Sequence, residues 1–431
     1  MVVIGAGAAG LAAARSLARR SARVVLLEAR DRAGGRVWSR PVAGSETPAE
    51  LGAEFIHGRG ELTRRLLHEA GLSAVDVDGD EWICAGTGDL QRDDQGILGA
   101  AVILEQARSL AADESVEQFL RRFGRDADAV RAARHFVEGF DAADPAIASA
   151  RAIADELRSG TDSAAARPLG GYGPLVEHLH DVCIAAGVRL RLATAVRRIS
   201  WRRGAADVEA SGGGTPQTIR ARAAILTLPV GVLRDRRDDT AVMFDPGLPP
   251  AKLDALRRIE MGHVVRVVLR FQTAFWERVR SGRYRDAAFF RCEGHAFQAY
   301  WTQLPVHGTL VVAWAGGPKA VALGGTTRDA LIERARDGFG RLFQEPGLAR
   351  AECEGGFVHD WSRDPFARGA YSYLAVGGGG AREALAAPVE DTLFFAGEAT
   401  SSNGQAGTVN GALETGERAA AEAARSLSLA P

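Results

Sequence analysis

The chain has 431 residues, 53 basic and 54 acidic side chains, and a formal net charge of −1. A chain of this length is too long to fold around a single hydrophobic core, so we expect two domains. Because basic and acidic residues balance, the net charge does not indicate a basic surface that binds nucleic acid or a membrane.

The four cysteines have neither paired nor metal-ligand spacing: Cys84, Cys183, Cys292 and Cys353. This pattern predicts a reducing, cytoplasmic compartment and no metal site. The sequence shows no signal peptide and no apolar run long enough to cross a bilayer. The alternative is a start codon further upstream, with an export signal, because the first predicted strand starts next to Met1.

The first 28 residues predict strand, glycine turn, helix and second strand. The two apolar runs are Val2–Ile4 and residues 24–27, a helical pattern covers residues 11–20, and Glu28 follows 18 residues after Gly10. This arrangement is typical of a dinucleotide site, because the helix N-terminus faces the phosphates and the acid accepts from a ribose hydroxyl. The alternative is a glycine turn in an ordinary strand–helix–strand unit.

Each glycine of the turn has a separate task. Gly5 permits the tight turn, Gly7 lets the backbone approach a pyrophosphate, and Gly10 lets the helix pack on the strand. Ala9 belongs to the same predicted cofactor-binding turn.

A second glycine-rich stretch distinguishes an FAD site from an NAD site. Gly34 and Gly35 bring the backbone close to the cofactor, and Arg36 can neutralise phosphate charge. An NAD enzyme needs no such stretch. The other predicted cofactor-binding residues around it are Arg30, Gly52, Ala53 and Glu54.

On these motifs the chain resembles the FAD-dependent amine oxidase family, which includes monoamine oxidases, polyamine oxidases and histone lysine demethylases of that fold. The resemblance implies an α/β fold, with a discontinuous Rossmann-like FAD-binding domain and a mixed α+β substrate domain. The cofactor domain would comprise residues 1–71, 168–240 and 386–431, and the substrate domain residues 72–167 and 241–385.

Residues 101–158 are rich in helical patterns, and their aromatic side chains are more typical of a core than of a cavity wall. Four acids lie there or close by: Asp141, Asp144, Asp155 and Glu156. They either attract cationic amines or, as the simpler interpretation, occupy solvated helix faces.

Two positions in later strands acquire a meaning through the resemblance. Val196 would touch the adenine through its backbone. Arg266, in a strand predicted over residues 261–271, stands where many relatives carry a lysine that holds a water beside flavin N5. Arginine can donate to that water but is bulkier and stays protonated. The alternative is a strand arginine that faces solvent or an acid.

The segment from His359 to Tyr373 resembles the loop that walls the flavin in the family, with Trp361 and Phe366 as cofactor contacts. Tyr371 matches an aromatic position that faces the substrate amine, and an aromatic face favours a cationic or polarised amine. The second such position falls near Thr408. Covalent members carry a cysteine beside Tyr371 that this chain lacks, so noncovalent FAD is expected.

The resemblance implies that the C-terminal motif binds the other half of the cofactor. Gly397 and Glu398 close a buried strand and contact the ribityl or pyrophosphate region. Thr408 and Val409 open the last helix, whose N-terminus favours the negative charge of reduced flavin.

The resemblance implies oxidation of a small-molecule amine to an imine by hydride transfer to flavin N5, with O2 reoxidation giving H2O2. The predicted catalytic residues are Arg266, Tyr371, Thr408 and His57. His57 lies where polyamine-oxidising relatives contact substrate, and it is otherwise structural or tunes a pH response. An L-amino-acid oxidase, a desaturase, or a redox-weak FAD-binding partner protein remains open, and the oligomeric state is not predicted.

Overall fold

A computed structural model describes residues 1–84, 89–93, 98–124, 126–160, 165–213, 215–235, 240–292 and 294–429. Its strands, in chain order, are β1 Val2–Ile4, β2 Val25–Leu27, β3 Ser39–Arg40, β4 Ala49–Glu50, β5 Ile56–His57, β6 Ala74–Asp76, β7 Asp80–Cys84, β8 Gln91–Arg92, β9 Ala165–Pro168, β10 Arg189–Arg191, β11 Thr194–Arg202, β12 Ala205–Gly212, β13 Thr215–Ala221, β14 Ala224–Leu226, β15 Met243–Asp245, β16 Ile259–Met261, β17 Val264–Phe271, β18 Ala287–Cys292, β19 Ala299–Trp301, β20 Leu310–Gly316, β21 Cys353–Asp360, β22 Ser372–Leu374 and β23 Leu393–Phe395.

The α-helices of the described residues connect these strands. They are α1 Ala8–Arg19, α2 Glu61–Glu69, α3 Leu98–Leu104, α4 Val116–Phe123, α5 Ala127–Gly139, α6 Ala150–Arg158, α7 Gly173–Ala185, α8 Val230–Arg234, α9 Pro250–Arg258, α10 Val279–Gly282, α11 Gly317–Ala322, α12 Arg328–Leu342, α13 Pro346–Glu352, α14 Ala381–Ala386 and α15 Val409–Ser426.

A parallel five-stranded sheet holds the two chain ends together. Its order is β10-β2-β1-β14-β23, and each neighbouring pair runs parallel. Helices α1 and α15 pack so closely against each other that a Cβ on Gly416 would overlap the carbonyl oxygen of Ala9. Apolar strands buried between helices are the expected pattern for such a sheet. The α/β fold class is therefore confirmed.

The sheet draws strands from residues 1–71, 168–240 and 386–431, as the predicted cofactor domain does. Strand β15, however, pairs in parallel with β11, and α9 contributes Ala255 and Leu256 to the core beneath this sheet. Residues just after 240 therefore still pack on the cofactor side. The domain division itself stays a prediction.

A seven-stranded sheet in the order β21-β17-β20-β19-β18-β7-β8 forms the second half, and α3 to α6 share a hydrophobic core of their own. The strand predicted over residues 261–271 is two strands, β16 and β17, separated at Gly262. The Gly262 N–H donates to the carbonyl oxygen of Tyr371 at 2.7 Å, which continues the pairing of β16 with β22 past Met261. This break brings Tyr371 beside the start of β17.

The helix of the glycine turn starts at Ala8 and not at Leu11, with Gly7 as its N-cap residue. The four cysteines, all within the described ranges, form no disulfide with one another. Within the described ranges, no helix is both long and apolar enough to cross a membrane. No group of three or more potential metal ligands lies together among those same residues. The cytoplasmic location stays a prediction.

Candidate active site

One cavity of about 1260 Å³ connects the glycine turn with the aromatic loop. This volume exceeds the range of about 300–1,000 Å³ that is usual for a drug-sized ligand. Of the predicted site residues, Gly10 alone does not line it. The others all do: Gly5, Gly7, Ala9, Glu28, Arg30, Gly35, Arg36, Gly52, Ala53, Glu54, His57, Val196, Arg266, Trp361, Phe366, Tyr371, Gly397, Glu398, Thr408 and Val409.

Backbone geometry shapes the glycine end of this cavity. Gly5 has φ +101°, and a Cβ on Gly10 would overlap the Gly5 carbonyl oxygen. At Gly7 a Cβ would meet nothing closer than 3.7 Å, and Gly7 provides no side-chain cap for α1. The first N–H groups of α1 therefore face open space at the positive end of a helix dipole, which is an anion site.

Glu28 lies at the end of β2, where burial and hydrogen bonds hold its carboxylate still. One oxygen accepts from the Ala6 N–H at 2.8 Å and the other from the Arg30 N–H at 3.0 Å. The β11 strand lies alongside, with the Thr194 N–H donating to the Glu28 carbonyl and an irregularity in pairing just after Val196. A carboxylate has capacity for a further donor, such as a ribose hydroxyl.

Arg30 joins the glycine end to the aromatic loop. Its guanidinium donates to Asp364 at 2.6 Å and lies 5.5 Å from the centre of the Phe366 ring. His359 is 3.2 Å from the same carboxylate. Burial would raise the pKa of Asp364, but the hydrogen bonds from His359 and Arg30 lower it well below its usual value. The ion pair thus fixes the loop over the cavity.

Glu398 is the centre of a buried polar network. Its carboxylate accepts from Arg36 at 2.9 Å, from the Ser372 hydroxyl at 2.7 Å and from the Gly407 N–H at 3.1 Å. Arg382 donates to the same Ser372 hydroxyl at 2.8 Å. Burial acts to raise the pKa of Glu398, but Arg36 and Arg382 outweigh it and the pKa lies below its usual value.

Hydrogen bonds to backbone carbonyls orient the aromatic side chains at the opposite end. The Tyr371 hydroxyl donates to the Phe140 carbonyl oxygen, Trp361 Nε1 donates to Leu51 at 2.8 Å, and Trp314 Nε1 donates to Gly139 at 2.8 Å. Such bonds hold each ring at a fixed angle to the cavity. The Tyr371 ring, not its hydroxyl, is therefore what the cavity presents.

The Thr408 hydroxyl caps α15 and is used within the protein. It accepts from the Gly411 N–H at 2.9 Å and donates to the Gln405 carbonyl at 2.8 Å. The cap satisfies one N–H of the first turn of this 18-residue helix, and Val409 and Ala412 near the helix N-terminus line the cavity. The predicted part of Thr408 in substrate contact stays a prediction.

His57 packs edge-on against Phe140, with ring centroids 5.3 Å apart, and against Phe55 at 6.0 Å. Burial lowers the pKa of His57 to about 4. The imidazole is therefore neutral throughout the neutral range. Burial among these rings removes the hydration of the cationic form, which disfavours a titration near neutrality. The predicted role of His57 toward substrate stays a prediction.

Arg266 is 2 % exposed and faces an acid, not solvent. Its guanidinium forms an ion pair with Glu54 and donates to the Gly52 carbonyl oxygen at 2.8 Å. The Nε atom of Arg266 is buried and has no hydrogen-bond partner among the described residues. Arg266 therefore faces an acid while it lines the cavity, and its predicted role beside flavin N5 stays a prediction.

The four acids predicted near residues 141–156 separate in the fold. Asp155 pairs with Arg108 at 3.1 Å, and Glu156 lies 3.3 Å from Arg382. Asp144 accepts from the Ala146 N–H at 2.9 Å. Of these four acids, Asp141 and Glu156 line the cavity and Asp144 and Asp155 do not, so the four do not form one amine-attracting cluster.

Sequence reasoning missed Arg382, Ser372, Asp364 and Arg167. Arg382 and Ser372 order Glu398, Asp364 holds Arg30, and Arg167 lies 3.1 Å from Glu54. No motif marks Arg382 or Arg167. Asp364 stands inside the segment from His359 to Tyr373, but the sequence gives no separate signal for its pairing with Arg30.

A family model described as flavin containing amine oxidoreductase matches residues 8–424. Polyamine oxidase 2 of Arabidopsis thaliana is 30% identical over 458 residues, which cover 97% of this chain and 87% of that protein. Lysine-specific histone demethylase 1 homolog 2 of Oryza sativa subsp. japonica is 29% identical over 454 residues. That match covers 98% of this chain, which spans 56% of the demethylase homologue.

A solved structure has the same fold. Cyclohexylamine oxidase from Brevibacterium oxydans superposes with a TM-score of 0.82 at 21% sequence identity, covering 99% of both chains.

Proposed function

The chain belongs to the flavin-containing amine oxidoreductase family, and from that premise we propose that it is an FAD-dependent amine oxidase. The reaction is oxidation of an amine to an imine, with O2 as acceptor and H2O2 as product. The observation that carries the proposal is the single cavity that joins an anion-binding helix terminus at Gly7 to the aromatic end at Tyr371.

The residues of the cavity fit FAD at both ends. The α1 N-terminus would hold the pyrophosphate and Glu28 the ribose, since its carboxylate is fixed by the Ala6 and Arg30 N–H groups. The α15 N-terminus and the unpartnered Nε of Arg266 are donors at the other end. A buried donor without a partner is costly unless a ligand completes it.

The bound flavin supplies the redox chemistry by accepting a hydride from the substrate carbon and passing electrons to O2. The chain binds and desolvates the amine. Tyr371 and Trp314 present aromatic surface, and His57 stays neutral because burial lowers its pKa to about 4. A cavity end of this kind favours the neutral amine, which releases hydride more readily than the ammonium form.

Noncovalent binding of the flavin is supported by the placement of the thiols. None of the four cysteines is among the described residues that line the cavity. Cys183 and Cys292 are fully buried in separate hydrophobic cores, and burial raises the pKa of the Cys183 thiol to about 11. A thiol of that kind is a poor nucleophile.

An amine fits the site better than an amino acid. An L-amino-acid oxidase needs an arginine that is free to bind the substrate carboxylate. Each arginine that lines the cavity in the described structure already pairs with an acid: Arg30 with Asp364, Arg36 with Glu398, Arg131 with Asp128, Arg266 with Glu54, and Arg291 with Glu81 and Asp93.

A polyamine is the substrate subclass that we favour. His57, expected from the resemblance to contact substrate, lies on the cavity wall, and Asp141 and Asp126 add negative charge to that wall. A second candidate is a larger amine-bearing partner, favoured by the likeness to demethylase homologues. A desaturase and a redox-weak FAD-binding protein are supported by no comparable feature of the cavity.

Hydrogen peroxide release, measured over panels of polyamines, monoamines, L-amino acids and methylated lysine peptides, tests the activity. We expect release with amines and none with amino acids. An absorbance scan before and after acid precipitation tests the cofactor, and flavin should leave with the supernatant. Peroxide release with amino acids alone, or no flavin in the purified protein, would overturn the proposal.

A further inference from the structure

Glu54 stands at the centre of a buried group of charges on the cavity wall. One carboxylate oxygen accepts from Arg266 and from Trp301 Nε1 at 3.0 Å. The other oxygen lies 3.1 Å from Arg167 Nε. The side chains of Glu54 and Arg266 are each 3% exposed and that of Arg167 is 9% exposed. These three residues come from different parts of the chain and are called the buried triad below.

The triad fixes the Arg266 guanidinium from two sides. Glu54 takes one terminal nitrogen and the Gly52 carbonyl takes the other at 2.8 Å, while the guanidinium carbon lies 5.2 Å from the Trp301 ring centre. Arg266 and Glu54 line the cavity, whereas Arg167 does not. Arg167 is turned away and donates to the carbonyls of Leu304 at 2.5 Å and Thr302 at 2.8 Å.

If the α1 N-terminus holds the phosphates, the buried triad lies at the end of the cavity that would hold the flavin ring. Trp361 donates to Leu51, the neighbour of Gly52, and its ring lies against Gly52. The α15 N-terminus and Tyr371 line the same cavity. The Arg266 contact to Gly52 therefore lies on the part of the cavity wall that would face the flavin ring.

We propose that Glu54 is a positioning residue that holds Arg266 in place and sets the net charge beside the flavin ring. The inference rests on the proposed function, since it requires a bound flavin. Two guanidiniums and one carboxylate leave one net positive charge in a poorly screened region. Reduction by two electrons and one proton adds one negative charge to the flavin, so the triad favours the reduced form.

The flavin reduction potential of the purified holoenzyme, measured by dye equilibration without any amine, reads this charge directly. Glu54→Gln keeps the shape and an acceptor for Arg266 and Trp301 but removes the negative charge. It should raise the potential. Arg266→Met should lower it, and Arg266→Lys should stay closer to wild type than Arg266→Met.

Arg167 provides the matched control, because it shares Glu54 but lies behind the cavity wall. Arg167→Met should lower the potential less than Arg266→Met does. The double variant Glu54→Gln/Arg167→Met restores the net charge and should return the potential toward that of the wild type. A purely structural disturbance would not give shifts of opposite sign that cancel on combination.

Shifts of the same sign in Glu54→Gln and Arg266→Met, or potentials equal to wild type in both, would overturn the inference. If the Glu54→Gln variant does not retain flavin, Arg266→Met and Arg266→Lys provide the test instead. Equal shifts of the reduction potential in these two variants would refute the inference. The peroxide assay over the amine panel tests the proposed function separately. Normal amine turnover by the wild type, with unchanged reduction potentials in the variants, would reject only the inference about the buried triad. A wild-type protein that contains no flavin would reject both proposals.

Discussion

The two ends of the cavity are built in different ways. The glycine end depends on backbone geometry within the first 36 residues, where Gly5, Gly7 and Gly10 shape the turn and Glu28 is held by nearby N–H groups. The aromatic end depends on side chains far apart in sequence, such as Arg266 and Glu54, which are 212 residues apart. A backbone site tolerates little added volume, whereas a side-chain site is sensitive to charge.

The largest effect that we expect is at Gly10. A Cβ there would overlap the Gly5 carbonyl oxygen, so Gly10→Ala should displace the α1 N-terminus and abolish flavin binding. The flavin-to-protein absorbance ratio of the purified protein measures this. Gly247→Ala is the control, because nothing lies within 4 Å of its added Cβ. A yellow Gly10→Ala protein would show that the glycine end is not built on close backbone contact.

The next prediction concerns pH at the aromatic end. Anaerobic flavin reduction at low amine concentration should rise about tenfold per pH unit between about pH 6 and 9, because free alkylamines titrate near 10.4. His57 should add no step, since burial lowers its pKa to about 4. Stopped-flow absorbance gives the profile, and His57→Phe should keep the same slope. A flat wild-type profile would contradict this prediction.

A smaller loss is expected for Glu28→Ala at the glycine end. Removing the carboxylate deprives the ribose of a charged acceptor, and FAD affinity should fall roughly 10- to 100-fold. Titration of FAD into the apoprotein, followed by fluorescence quenching, measures the dissociation constant. Glu61→Ala, on an exposed residue, is the matched control. An unchanged affinity in Glu28→Ala would mean that Glu28 does not contact the ribose.

The smallest effect concerns Glu50, which is buried and is not among the residues that line the cavity. Its carboxylate accepts from the Ser39 hydroxyl and the Tyr172 N–H, each at 2.7 Å, and burial raises its pKa to about 7. The folded state then binds more protons than the unfolded state between about pH 4.5 and 7. The contribution of Glu50 to the free energy of unfolding is therefore fully present at low pH. It is lost as the pH rises through this range, which lowers the free energy of unfolding by roughly 3 kcal/mol at most.

Glu50→Gln removes this titration. Its Tm should match wild type near pH 5 and exceed it by a few degrees near pH 8. Thermal unfolding of both proteins at the two pH values is the measurement. Equal Tm differences at the two pH values would mean that Glu50 does not carry the titration.

Much of the fold and of the cofactor site follows from contiguous residues. The spacing of Gly5, Gly7 and Gly10 predicts the turn, and all of the site residues predicted from the motifs, apart from Gly10, line one cavity. The strand break at Gly262 was not predicted, because it depends on the Tyr371 carbonyl more than 100 residues away. The pKa of His57 could not be predicted either, since it depends on Phe140 and on burial.

The sequence by itself determined the α/β class, the family and the glycine turn with its acid. These depend on local backbone conformation and on hydrophobic spacing, which neighbouring residues encode. The tertiary structure alone decided that Arg266 pairs with Glu54, that Arg382 supports Glu398, and that His57 is neutral. Ion pairing and desolvation act through space, so they are set by residues that only the folded chain brings together.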